Sequence, residues 1–216
     1  MTSYNIAPIV KYDHNWLQQI AQIHLQEIPN GFLTSLGEKV LTDLYGSIAA
    51  SDGSFLIAAI DSNQDVVGFF AGRFGKHSLY KEFLRHGNLM SKIRLITAFI
   101  NPIKVFRILE TISYSIGKND KSKMPDAEIL NFCVSSRLQR AGIGMKLKTA
   151  AEKAFCEAGI SEVKIVTGAS QYSAQEFYSK VGAIEVCEIE IHKGTKSIMY
   201  YWDLKCPKGL NNSHLS

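Results

Sequence analysis

The sequence lacks the patterns that mark several common classes of protein. Its first residues hold no basic stretch followed by an apolar run, so we expect no secretory signal there. No apolar stretch approaches the roughly 20 residues of a membrane-spanning helix. The longest candidate, residues 95–100, is flanked by Arg94 and Lys104. We therefore expect a cytoplasmic protein.

Cysteine is scarce and scattered. Cys133, Cys156, Cys187 and Cys206 form no Cys-x-x-Cys pair and have no histidine nearby at ligand spacing. This spacing argues against a zinc site, and we expect no bound metal. Four reduced and mostly buried thiols would be typical of a cytoplasmic protein.

The familiar nucleotide-binding motifs are also missing, although one glycine turn is present. Residues 134–144, Val-Ser-Ser-Arg-Leu-Gln-Arg-Ala-Gly-Ile-Gly, lie between an apolar run and a helical pattern. The first amides of a helix lack intrahelical partners and carry positive partial charge, which suits a pyrophosphate. A Rossmann turn would need a third glycine where Leu147 stands, and a P-loop would need Gly-Lys-Ser/Thr. Taken alone, the turn fits a simple strand-to-helix connection equally well.

Positive charge is concentrated in one segment. Residues 76–123 hold ten basic and three acidic residues, a net charge of +7, which leaves −3 for the rest of a chain whose total is +4. The protein as a whole is therefore not a basic nucleic-acid binder, and we expect no nucleic-acid partner.

Apolar periodicity predicts a mixed α/β (α+β) fold. Strands are expected at residues 5–13, 54–61, 65–74, 128–134, 162–167, 184–192 and 197–204, the second and third as a hairpin. Helices are expected at 14–26, 35–49, 142–158 and 174–181, with two more in the basic segment at 77–86 and 90–115. Ser35 and Glu38 match a capping box. We expect one domain over residues 1–206, with a helical insert at about 76–124, and a loose tail at 207–216.

Two motifs resemble those of the GNAT superfamily of acyl-CoA N-acyltransferases. Residues 139–144, Gln-Arg-Ala-Gly-Ile-Gly, match its Gln/Arg-x-x-Gly-x-Gly/Ala signature. Residues 174–182, Ala-Gln-Glu-Phe-Tyr-Ser-Lys-Val-Gly, are similar to its second signature at the expected distance downstream. The order of predicted elements also matches outside residues 75–125. The insert there resembles that of a little-characterised bacterial subgroup.

The resemblance implies acetyl-CoA as co-substrate. In that family, backbone amides of the turn bind the pyrophosphate, and the end of the preceding strand hydrogen-bonds the pantetheine arm. By resemblance these roles fall on Cys133, Val134, Gln139, Arg140, Ala141, Gly142, Ile143 and Gly144. Gln171 stands where the family often has an asparagine that contacts the cofactor, and Gly182-Ala183 replaces the usual Gly-Phe.

The resemblance also implies two catalytic groups. Glu128, in Ala-Glu-Ile, matches the general base of the histone acetyltransferase branch, and Tyr178 matches the family's general acid. Strand alternation predicts that Glu128 shares a face with Leu130, Phe132 and Val134, and such apolar neighbours would raise its carboxyl pKa. The alternatives are a strand-edge glutamate that faces water and a core tyrosine.

The acceptor side is less defined. By resemblance, Phe32 and Tyr200 would line the substrate pocket, although both also suit packing. The basic insert fits a lid for an acidic acceptor, an amphipathic patch for a membrane or partner protein, or a solvated helical face, and the membrane is the less favoured of these partners.

These observations predict an N-acetyltransferase. It would move the acetyl group of acetyl-CoA to the primary amine of a small molecule by direct attack, with an amino sugar or nucleotide-linked amino sugar as a candidate. We expect a monomer or homodimer. The alternatives are a non-catalytic acyl-CoA-binding or regulatory protein, and an interaction module that uses the basic insert.

Overall fold

The computed structural model describes residues 4–10, 13–31, 33–75, 83, 91, 124–192 and 195–207. The predicted helical insert at about residues 76–124, the proposed substrate residue Phe32 and the tail at 207–216 therefore lie outside the described residues, apart from residues 83, 91, 124 and 207.

Seven strands form one mixed sheet in the order β1-β2-β3-β4-β5-β7-β6. Their bounds are β1 Asn5–Pro8, β2 Ser54–Ile60, β3 Val66–Arg73, β4 Glu128–Val134, β5 Glu162–Gly168, β6 Ile184–His192 and β7 Thr195–Asp203. Neighbouring strands are antiparallel except for the parallel pair β4–β5. The mixed sheet and the β2–β3 hairpin confirm the fold predicted from the sequence.

Helices cover both faces of the sheet. The α-helices whose bounds the described residues give are α1 His14–Glu27, α2 Glu38–Ala49, α3 Ile143–Glu157 and α4 Tyr172–Lys180. Leu17 of α1 and Leu41 of α2 share a core cluster with Phe69 of β3. Leu147 of α3 and Tyr178 of α4 pack in a second cluster with Phe70, the residue that follows Phe69 in β3. Since successive strand residues point to opposite faces, α1 and α2 lie on one face and α3 and α4 on the other.

The start of α2 differs from the predicted capping box. The helix begins at Glu38, after a 3-10 turn at Leu33–Leu36, and its N-cap is Gly37 at φ +85° with no side-chain cap. The Glu38 carboxylate instead accepts hydrogen bonds from Gln18 and Gln22 of α1, at 2.7 and 3.3 Å. The prediction that Ser35 caps the helix is wrong because glycine takes the left-handed conformation that this turn requires.

A disulfide corrects the expectation of four reduced thiols. Cys156, near the end of α3, is bonded to Cys206, which follows β7, with the two Cα atoms 5.4 Å apart. The two cysteines are 50 residues apart in sequence, so the fold, and not their spacing, brings them together. Cys133 and Cys187 are free thiols, and Cys133 is buried.

Candidate active site

The parallel strands β4 and β5 separate soon after they begin. They pair only at Glu128 with Lys164 and Ile129 with Ile165. Beyond these pairs, the facing edges of residues 130–134 of β4 and residues 166–168 of β5 are not paired with each other. We call the space between these two edges the β4–β5 gap. Such edges can hydrogen-bond an extended ligand as though it were another strand.

A β-bulge lies beside this gap. Ile129 pairs with Gly72 of β3 and Asn131 pairs with Ala71, so Leu130 is the extra residue of β4. Leu130 packs with the α1–α2 core, whereas Phe132 and Val134 pack with the α3–α4 core. The prediction that residues 128, 130, 132 and 134 share one face is therefore wrong, since an extra residue reverses the alternation.

The glycine turn lies at the wide end of the gap, where β4 ends. A 3-10 turn at Ser136–Leu138 leads to Arg140 at φ +65° and to Gly142 at φ +81°, which is the N-cap of α3. The Lys146 amide donates to the Gly142 carbonyl at 3.2 Å. The helix amides before Lys146 have no intrahelical acceptor, and they form the positive end of the helix dipole. Residues 139–142 are exposed, so an anionic ligand can reach them.

The two glycines of the motif serve different purposes. Gly142 supplies the left-handed backbone of the N-cap, and a Cβ atom there would meet nothing within 4 Å. At Gly144 a Cβ atom would lie 3.3 Å from the rings of both Phe132 and Phe177. Gly144 therefore lets α3 begin close against the aromatic side chains beside the gap.

Tyr178 lies in the core at α4. Its side chain is buried, and its ring centroid is 5.9 Å from that of Tyr200 and 6.0 Å from that of Phe177. Burial raises the pKa of Tyr178 well above 10, and negative charge on Cys133 or Tyr200 would raise it further. The phenol therefore keeps its proton at neutral pH, which is the state that a general acid needs.

Glu128 belongs to an ion cluster at the narrow end of the gap. Its Oε2 atom is 2.5 Å from Nη2 of Arg73 and 3.6 Å from Nζ of Lys164. The three residues are register partners on the adjacent strands β3, β4 and β5. The prediction of apolar neighbours for this carboxylate is wrong, because Arg73 and Lys164 flank it.

Gln171 lies on the β5 side of the gap. Its backbone is the N-cap of α4, and its side-chain oxygen accepts a 2.7 Å hydrogen bond from the Thr167 hydroxyl near the end of β5. The side-chain amide thus lies at the wide end of the gap, across from the glycine turn.

The two tyrosines of β7 point to opposite faces. Tyr200 is 2% exposed and packs in the α3–α4 core beside Tyr178. Tyr201 pairs with Lys164 and so lies on the same face as the ion cluster. The pKa of Tyr201 is raised to about 12, chiefly by a hydrogen bond with Glu162 and secondly by burial.

Among the described residues, no group of three or more histidine, cysteine, aspartate or glutamate side chains is placed to hold a metal ion. No helix in that part of the chain is long and apolar enough to cross a membrane.

The fold and this site together define a class of protein. A parallel strand pair that opens beside a glycine turn can hold an extended thioester, with its phosphates at the amides of the turn. This is the arrangement of an acyl-CoA-dependent acyltransferase. Residues 17–183 match the acetyltransferase (GNAT) family, and the chain belongs to that family of enzymes, which use acetyl-CoA as acetyl donor.

Solved structures show the same fold. An acetyltransferase of the GNAT family from Staphylococcus aureus Mu50 superposes with a TM-score of 0.58 at 16% sequence identity, over 94% of this chain and 100% of its own. Aminoglycoside 6'-acetyltransferase type Ii superposes with a TM-score of 0.59 at 14% identity, over 93% of this chain and 97% of its own. Among curated proteins, no sequence matches this chain.

Proposed function

We propose that the enzyme moves the acetyl group of acetyl-CoA to the primary amine of a small molecule by direct attack of the amine on the thioester carbonyl. The observation that carries this proposal is the β4–β5 gap, which leads to the exposed amides of the glycine turn. Acetyl transfer itself belongs to the family, whereas the amine acceptor is our proposal.

In this proposal the donor lies along the gap. The open β4 edge at Cys133 and Val134 would hydrogen-bond the pantetheine arm, and Gln171 would donate from the other side. The pyrophosphate would bind the turn, chiefly through backbone amides. The proposed turn residues are Gln139, Arg140, Ala141, Gly142, Ile143 and Gly144.

Tyr178 is the proposed general acid. It would protonate the departing thiolate of CoA, because a tyrosine phenol carries its proton at neutral pH and can donate it as the carbon–sulfur bond breaks. The ring of Tyr178 contacts that of Phe177 on the same helix, so packing would hold this proton donor in place.

Glu128 is the proposed general base. Arg73 and Lys164 would fix the carboxylate in place at the narrow end of the gap, from which it would take the proton of the amine directly or through a water. The protonated amine must lose a proton before it attacks the thioester carbonyl, because only the neutral form has a free electron pair on nitrogen.

An amino sugar or nucleotide-linked amino sugar is the acceptor that we propose. Phe32 and Tyr200 are the residues that we propose to line the acceptor pocket. Because Tyr200 is buried beside Tyr178, it would contribute by packing against the Tyr178 ring. Tyr201 and Lys164, on the opposite face, add polar groups next to Glu128 that a hydroxyl-rich acceptor can use.

We also propose the domain extent, the oligomeric state and the cellular location of the enzyme. We propose one domain over residues 1–206, as a monomer or homodimer, in the cytoplasm. Disulfides are rare in that compartment, so the Cys156–Cys206 bond would be exposed there to cellular reductants.

An amine-panel assay tests the acceptor class. The purified chain is mixed with acetyl-CoA and, in turn, amino sugars, nucleotide-linked amino sugars, polyamines, amino acids and a peptide, and release of free CoA thiol is followed. We expect release above the no-amine control with the sugar amines. Release only with the peptide or the polyamines would refute the proposed acceptor, and binding without release would indicate a non-catalytic acyl-CoA-binding protein.

A further inference from the structure

A single carboxylate joins α1 to the start of the glycine turn. Oε1 of Glu27, the last residue of α1, accepts a 2.8 Å hydrogen bond from the backbone amide of Ser136. Its Oε2 atom lies 3.5 Å from Nε2 of Gln139, which also donates to the Val134 carbonyl at 3.1 Å. Glu27 and Ser136 are 109 residues apart in sequence, so this is a tertiary link between α1 and the segment that leads into the proposed donor site.

Glu27 supplies the cap that this turn otherwise lacks. Ser136 begins the 3-10 turn at Ser136–Leu138, and the preceding Ser135 makes no side-chain cap. The Glu27 oxygen therefore satisfies the first amide of this turn, as a side-chain oxygen at an N-cap does at the start of a helix. The Ser135 amide donates to the Val67 carbonyl at 2.9 Å, so β3 holds the turn from the other side.

The link sets the position of the turn against the end of β4. Residues 139–142 are exposed. Their backbone is tied locally by the bond from the Ala141 amide to the Leu138 carbonyl, at 3.4 Å, and by the bond from the Lys146 amide to the Gly142 carbonyl, at 3.2 Å. The bonds at Ser135 and Ser136 add the tertiary contacts that fix the start of this turn relative to the open β4 edge.

We propose that Glu27 is a positioning residue for acetyl-CoA binding. Its carboxylate holds the amides of the glycine turn in line with the β4 edge. This inference rests on the proposed donor site. Glu27 would act as a hydrogen-bond acceptor of the right length and not through its charge, since a negative charge near a pyrophosphate would by itself weaken binding.

Three substitutions separate acceptor, length and charge. Glu27→Ala removes the acceptor, Glu27→Asp keeps the charge but shortens the side chain, and Glu27→Gln keeps an acceptor for the Ser136 amide without the charge. Glu38→Ala is the matched control, because the Glu38 carboxylate also bonds side chains of α1 but lies at the start of α2.

The measurements are the acetyl-CoA dissociation constant by calorimetry and the split between KM and kcat. We expect Glu27→Ala and Glu27→Asp to raise the dissociation constant and KM for acetyl-CoA by up to about tenfold, the usual effect of one lost hydrogen bond. At saturation kcat should change less than about threefold, because the reacting groups are untouched. Glu27→Gln and Glu38→Ala should stay within about twofold of the wild type.

Each other result has a defined meaning. Wild-type affinity in folded Glu27→Ala or Glu27→Asp overturns the inference alone, as does equal weakening by Glu27→Gln, which would show that charge matters. Should Glu27→Ala fail to fold, the Asp and Gln variants still decide between these outcomes. A wild-type chain that binds no acetyl-CoA overturns both this inference and the proposed function.

Discussion

Tyr178 and Glu128 show how far single residues can be interpreted from a motif. The second signature predicts Tyr178 as the general acid, whereas the resemblance of Ala-Glu-Ile to the histone acetyltransferase branch predicts Glu128 as the base. The structure places the two residues in contrasting surroundings. Tyr178 is buried beside Tyr200, with a raised pKa that keeps its proton. Glu128 lies between Arg73 and Lys164, which the sequence could not show because these partners are on other strands.

Removal of the Tyr178 hydroxyl should affect turnover and leave donor binding almost unchanged. Tyr178→Phe keeps the packing with Phe177 but cannot protonate a thiolate. We expect kcat to fall at least about 100-fold, which is the usual contribution of a general acid. The acetyl-CoA dissociation constant, measured by calorimetry, should stay within about twofold, since the proposed donor contacts are elsewhere.

A buried tyrosine on the other face provides the control. Tyr45 of α2 is fully buried and contacts His24, and it lies outside the proposed site. Tyr45→Phe should leave kcat close to the wild-type value once folding is verified. Unchanged turnover in Tyr178→Phe would remove Tyr178 from the mechanism.

The strands and helices were more predictable than their irregularities. The bounds of β4 and β6 agree with the predicted residues 128–134 and 184–192, because apolar patterning directly reports a strand. The bulge at Leu130 was not predicted, since no residue there marks an insertion. The start of α2 was misplaced because Ser35 and Glu38 satisfy a capping pattern, whereas Gly37 takes the cap.

The glycine turn gives a prediction about a whole element, α3. Gly142 and Gly159, before and after this helix, have φ values of +81° and +75°, and a Cβ atom at either would meet nothing within 4 Å. Replacing either by alanine should lower the free energy of unfolding by about 1 kcal/mol, the cost of a left-handed conformation with a Cβ atom. Urea unfolding of the two variants measures this.

Donor binding should distinguish the two variants. Only Gly142→Ala changes the amides proposed to hold the pyrophosphate, so only this variant should weaken acetyl-CoA binding, by about tenfold for the loss of one or two hydrogen bonds. Equal affinities for Gly142→Ala and Gly159→Ala would argue against a donor site at the turn.

At the scale of the whole molecule, the sequence indicated the family and the layered fold but not the contacts between distant segments. Two signatures in the right order were enough for the family, which the match over residues 17–183 confirms. The Cys156–Cys206 bond and the link from Glu27 to Ser136 join residues 50 and 109 positions apart. Such contacts depend on how complete elements pack, and no local pattern records them.

The disulfide should stabilise the fold without altering the donor site. Cys156→Ser with Cys206→Ser should lower the free energy of unfolding by about 2–4 kcal/mol, because the bond restricts the unfolded chain. Acetyl-CoA affinity should not change, since Cys156 is near the end of α3 away from Gly142. Urea unfolding of wild type and variant measures the first effect, and calorimetry the second.

Alkylation provides an independent check. The unfolded but unreduced wild-type protein should react at Cys133 and Cys187, and at all four cysteines only after reduction. Reaction of all four without a reductant, together with equal stability of variant and wild type, would show that the bond does not form in solution.

An amine-panel assay with two simultaneous readouts decides whether the enzyme acetylates an amine. Free CoA thiol and the mass of each amine are measured in the same reaction, so that acetyl transfer is separated from simple hydrolysis of acetyl-CoA. We expect a sugar amine to gain one acetyl group for each thiol released, and Tyr178→Phe to slow both together. Thiol release without an acetylated amine, or acetyl-CoA binding with neither product across the panel, would contradict the proposed acetyl transfer to an amine.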